Sequence, residues 1–216
     1  MTRVKICGLT GEDDLQTAVD AGADAVGIIC DVPVDTPREV PLERARELVA
    51  AAPPFVTTVL VTMPSGPERA IELVDAVEPD AIQLHGSFRS GDLAYLRAKI
   101  DSLLLLAVDA DDAAAAETYD DVVDGLIVDT PGEDGGGGTG RTHDWDRTRT
   151  AAADLESPVI LAGGLTPENV EAAVQTVEPF AVDVASGVEA DGGIKDPEAV
   201  RSFVDRAKSA RRPAEP

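Results

Sequence analysis

Short runs of Val, Ile and Leu return about every 25 residues along this chain, each followed by an alanine-rich stretch with helical spacing. Alternation of strand and helix at that interval implies parallel strands joined by helical crossovers, because each strand must be carried back to its starting edge before the next begins. Strands are expected near Val4–Cys7, Ala25–Ile29, Thr57–Val61, Ala81–Leu84, Leu103–Val108, Gly125–Asp129, Val159–Ala162 and Ala181–Val184. Helices are expected near 11–21, 41–52, 67–77, 90–99, 111–118, 144–154, 167–177 and 196–210. Pro41, Pro67, Pro167 and Pro197 stand near first-turn positions, Thr166 and Asp196 precede the last two as N-caps, and Thr10 is placed to cap the first helix.

Eight such units in 216 residues describe an α/β fold, a single-domain (β/α)8 TIM barrel over residues 1–210 with few insertions. The polar, proline-bearing residues 211–216 read as a frayed C-terminal tail. A doubly wound open sheet competes, but it usually uses fewer strands, and no GxGxxG opens the first helix.

Composition narrows what such a barrel does. The formal net charge is -23, from 41 acidic against 18 basic residues, which argues against a nucleic-acid partner. The acidic residues are spread through every segment and aromatics are only 3%, a pattern that suits a salt-rich, halophilic interior where self-repulsion is screened. Hydrophobic content of 44% argues against a disordered acidic chain. No stretch approaches the roughly 20 apolar residues that span a bilayer, and MTRVKICGLT has no apolar signal core, so no membrane association is expected. Cys7 and Cys30 follow no metal-binding spacing and would make a poor disulfide framework, which points to a reduced cytoplasmic compartment.

Barrel active sites form where strands end, so the residues that close each apolar run are the candidates. They are Cys7 after the first strand, Arg38 after the second, Gln83 and His85 around the fourth, Asp129 at the sixth, Gly163 and Gly164 after the seventh, and Asp183, Ser186 and Gly187 at the eighth. Glycine loops after strands 7 and 8 expose backbone N–H groups beside a helix N-terminus, which predicts a phosphorylated substrate; the bland alternative is a pair of tight turns. Asp129 ends an otherwise apolar strand and suits a general acid, or else anchors its loop. Cys7 is either a small buried hydrophobe or a base. A proton donor and acceptor facing each other from strands 6 and 1 would make an isomerase pair. Arg38 suits a substrate carboxylate. The glycine run from 132 to 145 reads as an active-site lid or a linker, and His85 and His143 as locally hydrogen-bonded side chains.

VKICGLT, GADAVGI, the TPR around Arg38, IQLHG, IVDT, GGTGRTHDW, LAGGLTPENV and PFAVDVASGVE follow one another in an order that resembles phosphoribosylanthranilate isomerase. The resemblance implies an Amadori rearrangement of N-(5-phosphoribosyl)anthranilate without metal or organic cofactor, and a monomer or homodimer whose only other partner is a small, anionic, phosphorylated substrate. It implies Asp129 as general acid, Cys7 as general base, Arg38 at the anthranilate carboxylate, Gly163, Gly164, Ser186 and Gly187 at the phosphate, and Gln83 and Asp183 as further substrate-binding residues. A thiol base needs a lowered pKa, for which Lys5 is a candidate cause. ICDVPVDTPR departs from the more usual aromatic, lysine-bearing segment, and His143 stands where an aromatic is common. A histidine-pathway or dual-substrate barrel isomerase would carry a carboxylate in place of Cys7. A catalytically silent phosphate-binding barrel would lack Cys7 or Asp129.

Overall fold

The computed structural model describes residues 1–110, 116–129, 144–153 and 155–210. Eight parallel strands close into a barrel in chain order: β1 (Arg3–Cys7), β2 (Ala25–Ile29), β3 (Thr57–Thr62), β4 (Ala81–Leu84), β5 (Leu103–Asp109), β6 (Gly125–Asp129), β7 (Val159–Leu161) and β8 (Ala181–Val184), with β8 paired back to β1. Every expected strand is present to within a residue at each end. Around them lie α1 (Glu12–Asp20), α2 (Leu42–Ala51), α3 (Pro67–Val77), α4 (Ser90–Arg97), α5 (Trp145–Ala152), α6 (Val170–Val177) and α7 (Pro197–Ser209). A short hairpin, β9 (Glu189–Asp191) and β10 (Ile194–Lys195), follows β8 and was not expected from the sequence.

Strand alternation sorts the side chains into two cores. Val4, Ile6, Val26 and Ile28 point outward and pack with Leu15, Leu48, Phe203 and Val204 of the helices. Cys7, Val59, Val61, Ala81, Leu105, Ile127, Ile160 and Ala181 form a separate cluster inside the barrel. Helix α7 shows why a polar, charged sequence still docks: Val200, Phe203, Val204 and Ala207 share one stripe and are buried, while Asp196 accepts from the Glu198 N–H at 2.9 Å and caps the start.

Part of the acidic excess is structural. Asp24, Asp80 and Asp124 each stand one residue before an even-numbered strand and accept an N–H from the strand before it, of Val4 at 2.9 Å, Thr58 at 2.8 Å and Leu104 at 2.8 Å. These carboxylates clip neighbouring strands together at the amino-terminal rim, where an unpaired strand N–H would otherwise face loop.

Two local expectations change. Thr10 does not cap α1; its hydroxyl donates to the Gly193 carbonyl at 2.9 Å, and its N–H reaches Asp14 instead. The helix expected near 111–118 falls mostly outside the described residues, and only a turn closed by the Tyr119 N–H on the Ala116 carbonyl is seen there. Residues 132–143, which carry the expected lid and His143, and residues 211–216 also lie outside the described residues. Among the described residues no helix is long and apolar enough to cross a membrane.

Candidate active site

Alternation along β1 sends Lys5 and Cys7 into the barrel together. The β1–β8 register sets Lys5 beside Asp183, and Lys5 Nζ lies 2.9 Å from Asp183 Oδ2 with both side chains buried. Room for this pair comes from β2: a Cβ on Gly27 would meet Cys7 Sγ at 2.7 Å and Lys5 Nζ at 3.1 Å. Burial opposes the Lys5 charge, but Asp183 and Cys7 outweigh it and hold its pKa above the ordinary lysine value.

The thiol answers differently from expectation. Burial pushes the Cys7 pKa up, Lys5 pulls it down, and the Asp183 charge pushes it up again, so the net direction is upward. A thiolate here is favoured by Lys5 and, less strongly, by Lys195, and opposed by the Asp183 carboxylate. The lowered pKa expected for Cys7 is therefore not found, because desolvation is the largest influence on it.

On β4, Gln83 is buried and its Nε2 lies 2.7 Å from His85 Nε2, so the local hydrogen bonding expected for His85 is found. Burial, reinforced by Lys5, lowers the His85 pKa to about 4, which keeps the imidazole neutral and able to accept from the amide. Gln83 Oε1 and Asp183 Oδ1 are buried with no hydrogen-bond partner among the described residues. Buried polar atoms left this way fit a ligand hydroxyl or amine better than they fit apolar packing.

Arg38 reaches the same end of the barrel by a longer route. Its stem lies over Gly8, where φ is +75° and a Cβ would meet Arg38 Cδ at 2.8 Å, so the guanidinium is held beside the residue that follows Cys7. It is held in a two-point ion pair for which the sequence showed no partner: Nε donates to Glu189 Oε1 at 2.8 Å and Nη2 to Oε2 at 2.7 Å. Lys195 Nζ, fully buried, donates to the same Glu189 at 2.7 Å. Burial would raise the Glu189 pKa, but hydrogen bonds from Arg38 and Lys195 prevail and lower it. Glu189 and Lys195 were missed in the sequence; the available signal was a pair of charged residues enclosing the Gly192–Gly193 turn directly after SGV.

After β7 the chain turns through Gly163 (φ 85°) and Gly164 (φ 64°), both in the left-handed region that favours glycine. Thr166 then caps the next turn by accepting from the Glu168 N–H at 3.2 Å, Asn169 Oδ1 accepts from Thr166 N–H at 2.8 Å, and Asn169 Nδ2 donates to the Gly164 carbonyl at 2.9 Å. After β8 a single 3-10 turn spans Ser186–Val188, and a Cβ on Gly187 would sit 1.9 Å from the Leu165 carbonyl oxygen. The two glycine loops therefore touch, and only glycine permits the approach.

Asp129 is half-buried at the end of β6, in register with Asp109 of β5. Counting round the closed ring, β6 is three places from β1 by way of β8 and β7, so Asp129 and Cys7 flank the mouth; the strand directly opposite β1 is β5. The expectation that strands 1 and 6 face each other is corrected to that extent.

Taken together, the fold and this rim define a (β/α)8-barrel isomerase, with a thiol, buried carboxylates, a clamped arginine and two abutting glycine loops at the carboxyl ends of the strands. The family model described as N-(5'-phosphoribosyl)anthranilate isomerase matches residues 4–206. The chain belongs to that family. It is 61% identical over 211 residues to the enzyme of that name from Haloferax volcanii, covering 98% of this chain and 95% of the relative. It is similar to the crystal structure of phosphoribosyl anthranilate isomerase from Thermotoga maritima, with TM-score 0.86 and 36% identity over 96% of this chain and 99% of that one. A further solved isomerase, in complex with reduced 1-(o-carboxyphenylamino)-1-deoxyribulose 5-phosphate, aligns with TM-score 0.83 and 34% identity, covering 96% of this chain and 99% of that one. The haloarchaeal relative agrees with the reading of the dispersed negative charge as a halophilic trait.

Proposed function

We propose that this chain converts N-(5'-phosphoribosyl)anthranilate into 1-(2-carboxyphenylamino)-1-deoxyribulose 5-phosphate, a step of tryptophan biosynthesis. Asp129 gives a proton to the furanose ring oxygen, the C1–O bond breaks, and the anilino nitrogen lone pair forms the Schiff base. Cys7 as thiolate then takes the C2 proton, and the electrons of that C–H bond form an enolamine that tautomerises to the ketone. Backbone N–H groups of Gly163, Gly164, Ser186 and Gly187 receive the phosphate, Arg38 the anthranilate carboxylate, and Asp183 and Gln83 the sugar hydroxyls.

The observation that carries this reading is the setting of Cys7: a buried thiol at the end of β1, beside the Lys5 ammonium, in a chain that matches the family along residues 4–206. Lys5 is the neighbouring charge that most favours the thiolate, and it is held in place by its ion pair with Asp183. Free Cys7 and Cys30 fit a reduced cytoplasmic compartment, and the assembly is a monomer or a homodimer, distinguished by sedimentation equilibrium.

The test is loss of the fluorescence of N-(5'-phosphoribosyl)anthranilate in strong salt. Cys7→Ala and Asp129→Ala should each lower kcat by at least about a hundredfold with unchanged circular dichroism. Normal turnover in both variants would overturn the assignment.

A further inference from the structure

We propose that Glu189, backed by Lys195, is the positioning residue that holds the Arg38 guanidinium so that its outer edge receives the aryl carboxylate of the substrate; this rests on the assignment of Arg38 made above. An arginine fork has two edges that each match a carboxylate, one formed by Nε with a terminal nitrogen and one formed by the two terminal nitrogens. Glu189 occupies the first, with Nε at 2.8 Å and Nη2 at 2.7 Å, which turns the second away from Glu189. The Glu189 side chain is only 5% exposed, so it is enclosed with the cation it orients.

Contacts of the β9–β10 hairpin brace both this carboxylate and the backbone before Arg38. Lys195, with a side chain 0% exposed, donates to Glu189 Oε1 at 2.7 Å and to the Ala185 carbonyl at 3.2 Å, anchoring Glu189 to the end of β8. In the turn between β9 and β10, Gly193 (φ +78°) comes so near Pro37 that a Cβ would lie 2.5 Å from the Pro37 carbonyl oxygen, one residue before Arg38. The Lys195 N–H donates to Asp14 at 3.0 Å and Thr10 donates to Gly193 at 2.9 Å, so the hairpin is also bound to the loop that follows Cys7. The hairpin thus braces Arg38 through its side chain and through its backbone. Charge fits the same role: two cations and one carboxylate leave a net positive site, so Glu189 orients Arg38 without cancelling its attraction for an anion. Locally this opposes the acidic surface of the chain.

The experiment measures calorimetric dissociation constants in molar KCl for two ligands, reduced 1-(o-carboxyphenylamino)-1-deoxyribulose 5-phosphate and the same compound without its aryl carboxylate. Glu189→Gln should weaken the carboxylated ligand about tenfold or more and leave the other within about twofold. Because Glu189→Gln leaves two buried cations unbalanced, Glu189→Gln/Lys195→Met is measured beside it; it has one buried cation fewer and should show the same selective loss, deciding the matter if the single variant does not fold. Equal weakening of both ligands, or of neither, overturns the proposal. Arg38→Met separates the two readings: if it fails to discriminate between the ligands the carboxylate assignment of Arg38 falls, whereas if it discriminates and the Glu189 variants do not, only the role of Glu189 falls.

Discussion

Lys5 and Asp183 are 178 positions apart in the chain and 2.9 Å apart inside the barrel, joined where β8 closes on β1. Their pairing sets a cation and an anion beside Cys7 that act in opposite directions on a thiol whose pKa burial already pushes up.

The Cys7 pKa should therefore move in opposite directions in two variants. Lys5→Met removes a charge that lowers it and should shift the thiol upward; Asp183→Asn removes a charge that raises it and should shift the thiol downward. The rate of iodoacetamide alkylation against pH, in a Cys30→Ala background, reads this directly. Shifts of the same sign would mean that the pair acts on Cys7 only through packing.

Gly27→Ala should displace the thiol without changing the chemistry of any polar group. The added methyl carbon would stand 2.7 Å from Cys7 Sγ and 3.1 Å from Lys5 Nζ. A misplaced base lowers kcat more than it raises KM, by at least about tenfold. Steady-state kinetics with wild-type kcat would show that the thiol has slack.

His85 should make the fold acid-sensitive in a defined window. Its pKa is lowered from 6.5 to about 4, so the unfolded chain binds a proton first as the pH falls. Stability is whole above pH 6.5 and is lost as the pH falls toward 4, by about 2 kcal/mol once partial exposure of the ring is allowed for. Tm against pH should fall less steeply in His85→Gln than in the wild type; identical slopes would assign acid sensitivity to the carboxylates instead.

Salt should stabilise the chain and leave catalysis intact. At about 1 M ionic strength the screening length is about 3 Å, short enough to quiet repulsion among surface carboxylates but not to dissolve buried pairs such as Lys5–Asp183. Tm should climb and kcat/KM should hold as KCl rises from about 0.2 M to about 2 M. A steep fall in kcat/KM over that range would show that long-range attraction of the substrate matters more than self-repulsion.

The barrel strands, which depend on periodicity among sequence neighbours, were legible; the short β9–β10 hairpin was not. Val4 and Ile6 alternating with Lys5 announced β1, the Asp196–Pro197 start announced α7, and adjacent Gly163 and Gly164 announced a tight loop after β7. Thr10 shows the limit: its local pattern suits an N-cap, yet Gly193, far along the chain, takes its hydroxyl. Arg38 was legible as a cation near the mouth but not as one half of a clamp, since nothing in TPR points to Glu189.

The order of apolar runs and their spacing determined by themselves the eight strands of this barrel and the helices described between them, because periodicity is a property of adjacent residues. The strand ends likewise singled out Cys7, Asp129 and the glycine loops. Which charges stand behind those residues was decided only when the barrel closed. Closure sets the register of β8 on β1 and folds the β9–β10 hairpin over Arg38, and a buried ion pair is meaningful only at the few ångströms that such a register brings about.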